Sequence, residues 1–232
     1  MNNTEFLNEF NLLYNNAMSN QAPPLNEYEI SLFLTEGQEV VVKEYYSGKN
    51  AFRDSFERSE EVTRSLSSLV RTEVLTEEYD PEYISDIVET IGSSSYLYKI
   101  PQDVWYIVKE SVKFTEDAMC GYGSYVDVIP TTHDKVGRIM ENPFRGMSNR
   151  RVLRLSLGNN INELLSKYPV HSYLIRYLVQ PSPIVLVNLD SLGCSVDGVS
   201  EETECKLHPL IHRVILERAV RIASEAYKFQ KQ

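Results

Sequence analysis

Apolar side chains recur at three and four residue steps toward both ends of the chain, and at every second residue or in unbroken runs through its middle. That change of period predicts helices flanking a sheet. Phe6, Phe10, Leu13 and Ala17 mark one face of a first helix, capped by Thr4 and running to about Met18. Ala22, Pro23 and Pro24 end it. Leu25, Asn26 and Glu29 then occupy the staple, N-cap and N3 positions of a capping box. The second helix turns Ile30, Phe33, Leu34, Val41 and Tyr45 inward until Ser47 and Gly48 stop it. Gly37 falls inside it, a cost of ~1 kcal/mol relative to Ala unless a neighbour packs closely there. A third helix is predicted over 50–72, with Phe56, Thr63, Leu66, Leu69 and Val70 opposite Glu57, Arg58, Glu60, Glu61 and Arg64.

Residues 77–95 are polar and acidic, with Ile84, Ile87 and Val88 suggesting a helical turn or two between Pro81 and the GSSS run at 92–95. From Tyr96 onward YLYKIP, VWYIVKESVKF and YVDVIPTTH are aromatic or β-branched and bounded by turn residues, which predicts strands. HDKVGRIMEN (133–142) predicts a short helix before Pro143. Residues 150–157 alternate polar with apolar, the period of a half-buried strand. The run 168–189, YPVHSYLIRYLVQPSPIVLVNL, predicts a strand that bends at Pro181 and Pro183 into a second extended segment. Pro209 opens a last helix over 208–229, with Ile211, Ile215, Ala219, Ile222, Ala226 and Phe229 on its packed face.

The expectation is an α+β protein in which N- and C-terminal helices form a bundle with a β-rich segment of about six short strands between them. Three regions follow from it: a helical 1–95, a β-rich 96–203, and a C-terminal helix, 204–232, packing back on the bundle as part of one composite domain. A hydrophobic content of 42% in 232 residues supports a real core. The net charge of −10 argues against a whole-surface nucleic-acid binder. Cys120, Cys194 and Cys205 fit neither a disulfide framework nor a thiolate zinc site, and read as reduced thiols. No apolar run approaches the ~20 residues that cross a bilayer, so a soluble protein made in the cytosol and without a membrane partner is expected.

Candidate chemistry is sparse. His133 beside Asp134 is the best general base, yet no activated serine or cysteine context accompanies it, so a small hydrolase stands as an alternative of another class. His208 and His212 share a helix face, but Glu204 and Glu217 complete no known metal-ligand spacing. Gly121 and Gly123 lack the rest of a dinucleotide fingerprint, and Trp105 with Tyr106 lacks the basic surroundings of a base-stacking platform. No catalytic, cofactor or metal site is expected. One cluster stands out: Arg145, Arg150, Arg151 and Arg154 fall within ten residues of a strongly acidic chain. A solvated strand edge is one reading, contact with an acidic neighbouring subunit a second, and DNA backbone a third.

HDKVGRIMENPFRG (133–146), NPFRGMSNRRVLRLSL (142–157), SKYPVHSYLIRYLVQPSPIVL (166–186), ECKLHPLIHRVILERAVRIASE (204–225) and the opening NNTEFLNEFNLLYNNAMSNQAPPLNEYE carry a family resemblance. The chain resembles a virion structural protein of tailed bacteriophages, in particular the crAss-like phages of gut Bacteroidales. The resemblance implies a neck or adaptor ring of the head-to-tail connector, closed around the channel through which genomic DNA passes without sequence-specific binding. It implies as partners further copies of the chain, the portal protein and the next neck or tail ring. A tail-tube or tail-hub ring lower in the tail is the alternative within that class, and a free DNA-binding accessory protein one outside it. The residues Ala226, Tyr227, Lys228, Phe229, Gln230 and Lys231 are the candidate portal-docking segment, because the last helix carries no Gly or Asn stop.

Overall fold

A computed structural model describes residues 1–18, 23–49, 56, 58–85, 87, 94–115, 125–142 and 144–230, with the side chains of 191 and 228–230 left aside. The chain forms two compact units, Met1–Leu69 with Gln180–Gln232, and Val70–Val179. The α+β expectation holds, with helices flanking a β-rich segment.

The first unit is helical. Helix α1, Asn3–Ala17, is capped by Asn2, whose side chain accepts from Glu5 N (2.8 Å) while Glu5 Oε2 accepts from Asn2 N (2.9 Å). Thr4 is therefore not the cap; a capping box needs its carboxylate three residues on, and Glu5 meets that from Asn2. Helix α2, Glu27–Ser47, has the expected box, Asn26 with Glu29, and ends on Gly48 at φ 76°. The third predicted helix shrinks to α3, Glu60–Leu66, a 3-10 turn Ser67–Leu69, and then a strand. Residues 50–55 and 57 lie outside the described residues. After a 3-10 turn Pro209–Ile211, helix α5, His212–Gln230, packs along α2.

The packed face of α5 is Ile215, Leu216, Ala219, Val220 and Ala223, while Ile222 is half-buried and Ala226 exposed; Phe229 lies outside the described side chains. The buried stripe is thus rotated from the predicted one, toward Leu216, Val220 and Ala223 and away from Ile222 and Ala226. Gly37 explains the approach: a Cβ there would meet Ala219 N at 3.0 Å and Ala219 Cα at 3.1 Å. Arg218 Nη2 reaches both oxygens of Glu44, at 2.7 and 2.6 Å, across the same helix pair.

The extended segment that follows Val179 has almost no strand partner, and α2 supplies the missing hydrogen bonds. Ser31, Thr35 and Gln38 are buried on successive turns. Ser31 Oγ accepts from Leu186 N (3.1 Å), Thr35 Oγ1 accepts from Ile184 N (3.1 Å), and Gln38 Nε2 donates to Ser182 O (2.8 Å). The bend expected at Pro181 and Pro183 is the place where the chain leaves the sheet.

The second unit is a seven-stranded sheet: β1 Val70–Leu75, β2 Ser94–Lys99, β3 Val104–Phe114, β4 Tyr125–Pro130, β5 Arg151–Gly158, β6 Ile161–Ser166 and β7 Val170–Val179. The order is β1-β7-β3-β4-β5-β6-β2, antiparallel except for β4 beside β5. Helix α4, His133–Met140, makes the crossover that a parallel pair requires. Val70–Thr72, the end of the predicted third helix, lie instead in β1, which pairs with β7 from Val70↔Leu178 to Leu75↔Tyr173. Of the helical turns expected near Ile84, Ile87 and Val88, the first two positions are not helical and Val88 lies outside the described residues.

The sheet curls. Tyr98 on β2 and Tyr173 on β7 are five strands apart in the order, ~24 Å in a flat sheet, yet their ring centroids are 5.4 Å apart. The inside of the curl holds Val112, Phe114, Val126, Val152, Leu164, Tyr173 and Ile175. Val136 on α4 covers Leu153, Leu155 and Leu165 on the outside.

Two glycines inside helices have opposite expected effects. Gly37→Val should destabilise the protein by about 1–3 kcal/mol through overpacking against Ala219. Gly137→Ala in α4, where a Cβ meets nothing within 4 Å, should stabilise by about 0.5–1 kcal/mol. Thermal unfolding of the two variants checks both signs.

Candidate assembly surfaces

The four arginines do different things. Alternation along β5 puts Val152 and Arg154 on the inside of the curl and Leu153 and Leu155 under α4. Arg154 is therefore turned to the interior, where its Nε lies 3.0 Å from Glu110 Oε1, with side chains 16% and 5% exposed. The two form a buried ion pair, and Arg154 Nη1 donates to Asn162 Oδ1 at 3.4 Å. Tyr173 Oη donates a short hydrogen bond to Glu110 Oε1, and Asn162 Nδ2 donates to Tyr173 Oη at 3.2 Å. Burial pushes the Glu110 carboxyl above its ordinary value, against the opposing pull of Arg154 and the Tyr173 hydroxyl. Burial and the neighbouring Glu110 push the Tyr173 phenol up as well. Half-buried Arg151 donates from Nη1 to Phe144 O.

Arg145 and Arg150 are the exposed pair. Their loop is held by its own backbone: Gly146 N and Arg145 N donate to Asn142 O at 2.8 and 3.1 Å, Phe144 N donates to Asn142 Oδ1 at 2.9 Å, and Ser148 bridges to Arg151. Gly146 is needed there, because a Cβ would meet Asn142 O at 3.1 Å and Met140 O at 3.2 Å. The loop carries Phe144, 86% exposed, followed by the exposed Arg145 and Arg150. Aromatic and arginine side chains on an ordered loop are the composition of an interface anchor.

The helical unit has a surface of contrasting character. A cavity of about 600 Å³ lies between Pro24–Glu39 residues of α2 and its entry, Val196, and the end of α5. Leu32, Phe33 and Ala223 line it, and Glu29, Glu36, Glu39 and Asp197 stand around it, without a lysine or arginine among the described lining residues. Ala226 and Tyr227 of the candidate docking segment also line it. Lys228, Phe229 and Gln230 lie outside the described side chains, and Lys231 outside the described residues.

His133 Nε2 donates to the Ser156 carbonyl at 3.3 Å, an exposed contact with no nucleophile in it. The Thr132 hydroxyl holds the Asp134 carboxyl below its ordinary value. His212 Nε2 donates to Leu207 O and its Nδ1 faces the Met1 amino group, both at 2.8 Å, while burial pushes its pKa down. His208 accepts from Leu210 N at 3.3 Å. No group of three potential ligands gathers to hold a metal among the described residues. Burial pushes the Cys205 thiol up to about 11, Cys194 is half-buried, and Cys120 lies outside the described residues. Among the described residues, no helix is long and apolar enough to cross a membrane.

Residues 1–232 match the family described as phage tail ring protein 3/4. The chain belongs to that family of crAss-like phage ring proteins. It is 43% identical over 228 residues to Ring protein 3 of Bacteroides phage crAss001, covering 96% of this chain and 95% of that one. It is 33% identical over 237 residues to Ring protein 4/5 of the same phage, covering 98% and 94%. Membership agrees with a structural ring protein and with the family resemblance carried by the sequence blocks.

For this ring-family chain, sequence reasoning missed the buried network. A signal was present: Glu110 has the parity of Val112 and Phe114, and Arg154 that of Val152, so each charge lies on an apolar face and requires a partner.

Arg154→Met alone should cost about 3 kcal/mol by stranding Glu110, and adding Glu110→Gln should recover much of that. The raised Glu110 pKa means that the folded state holds its proton more tightly than the unfolded chain. Its contribution is therefore full at low pH and lost as pH rises. Wild type should lose stability relative to Glu110→Gln as the pH rises above the ordinary carboxylate range. Urea unfolding followed by Trp105, the one tryptophan, reads both effects in the sheet unit.

Proposed function

We propose that the protein is a non-enzymatic subunit of a closed ring in the virion, in the head-to-tail connector between portal and tail. The observation that carries this reading is the family match over residues 1–232. A closed ring is built from heterologous contacts, in which one surface of each copy meets a different surface of the next. The arginine loop and the acid-rimmed cavity are two such surfaces. A net charge of −10 suits a channel that genomic DNA must traverse without adhering. The C-terminal end of α5 is the portal-docking element, and a ring of related chains is the neighbour on the other side. Two similar chains named as different rings of one phage support such a stack.

A second reading places the ring lower, in the tail tube or hub, and the family's description as a tail ring favours it. Solution mass separates the two. Mixed with its cognate portal ring, the full chain should add in a fixed symmetric number, and a chain cut after Tyr227 should stay folded and fail to add. A full chain indifferent to the portal would move the ring down the tail.

A further inference from the structure

We propose that the ring contact is made by the Phe144 loop of one copy seated in the acid-rimmed cavity of the next. This rests on the ring reading above and names the two surfaces that meet. The loop offers an aromatic side chain 86% exposed, with Arg145 and Arg150 exposed beside it. An aromatic ring at that exposure is a standing cost in water that a receiving pocket removes. The loop is ordered by the hydrogen bonds to Asn142, so little conformational freedom is lost on docking.

The cavity has the complementary chemistry. Its apolar floor includes Leu32, itself 39% exposed, and half-buried Phe33. On the rim Glu39 is already paired with Lys43 at 3.0 Å, and Glu29 caps α2. Glu36 and Asp197 are exposed and have no cationic partner among the described residues. Two exposed arginines on the loop of an apolar anchor match two exposed carboxylates among the lining of an apolar cavity. Copies of a chain with a net charge of −10 repel, and a local contact of opposite sign fixes which faces approach. Loop and cavity differ, so each copy uses one of each, and the contact propagates head to tail.

Cross-linking in particles tests the contact. Phage carrying both Leu32→Cys and Phe144→Cys, treated with a short bis-maleimide, should give a ladder of dimers, trimers and higher species of this chain. Either cysteine alone should give none, which controls for the native thiols. Particles that contain the chain at ring copy number but yield only monomer overturn this contact and leave the ring reading intact. Wild-type particles that lack the chain overturn the ring reading itself. Charge reversal provides a second arm should the paired cysteines bar assembly. Glu36→Arg and Arg145→Glu should each lower infectious titre about tenfold or more, and the two together should restore it. Single variants equal to wild type, or a pair no better than the worse single variant, overturn the proposal.

Discussion

The antiparallel pairing of β1 with β7 is the constraint on which the rest of the chain depends. The helical unit is discontinuous, leaving off at Leu69 and resuming at Gln180, with the sheet unit inserted between. Val70 pairs with Leu178, so the exit and return of the chain lie on neighbouring strands, ~5 Å apart. An insertion of the whole sheet therefore ends in a gap no wider than a hairpin. β1 also forms one edge of the sheet, and its exposed Arg71 and Glu73 keep that edge from recruiting a further strand.

Each unit then satisfies buried polar groups in its own way. In the helical unit, Ser31, Thr35 and Gln38 of α2 serve a backbone that has left the sheet and has almost no ladder. In the sheet unit the curl brings β3, β5, β6 and β7 around one interior, where Glu110, Arg154, Asn162 and Tyr173 are linked by an ion pair and hydrogen bonds. The consequence for function is a division among the arginines. Arg154 pairs with Glu110 inside the sheet unit, Arg151 donates to the Phe144 carbonyl, and Arg145 with Arg150 are exposed.

Much of this was legible in the sequence where one local rule acts alone. The α2 capping box, the stop at Gly48, the crossover helix and strands β2 to β5 and β7 follow from local residue chemistry, whereas β6 was not read from it. Gly37 was legible as a condition, a close neighbour or a penalty, and Ala219 is that neighbour. What was not legible depended on partners distant in the chain. Val70–Thr72 continue a helical pattern, and only pairing with β7 makes them strand. The alternation in 150–157 reads as one wet face, whereas the curl makes that face an interior and turns Arg154 into half of a buried pair. The acidic cavity is assembled from α2, the turn at Val196 and the end of α5, segments that share no motif.

The most direct test of the account is a cryo-EM reconstruction of the phage neck and tail in which the chain's curled sheet is located and its copies counted. The account predicts a closed, rotationally symmetric ring around the DNA channel, each copy meeting the next through unlike surfaces. Isolated copies on the outside of the particle, or two-fold pairs meeting through the same surface, would contradict it.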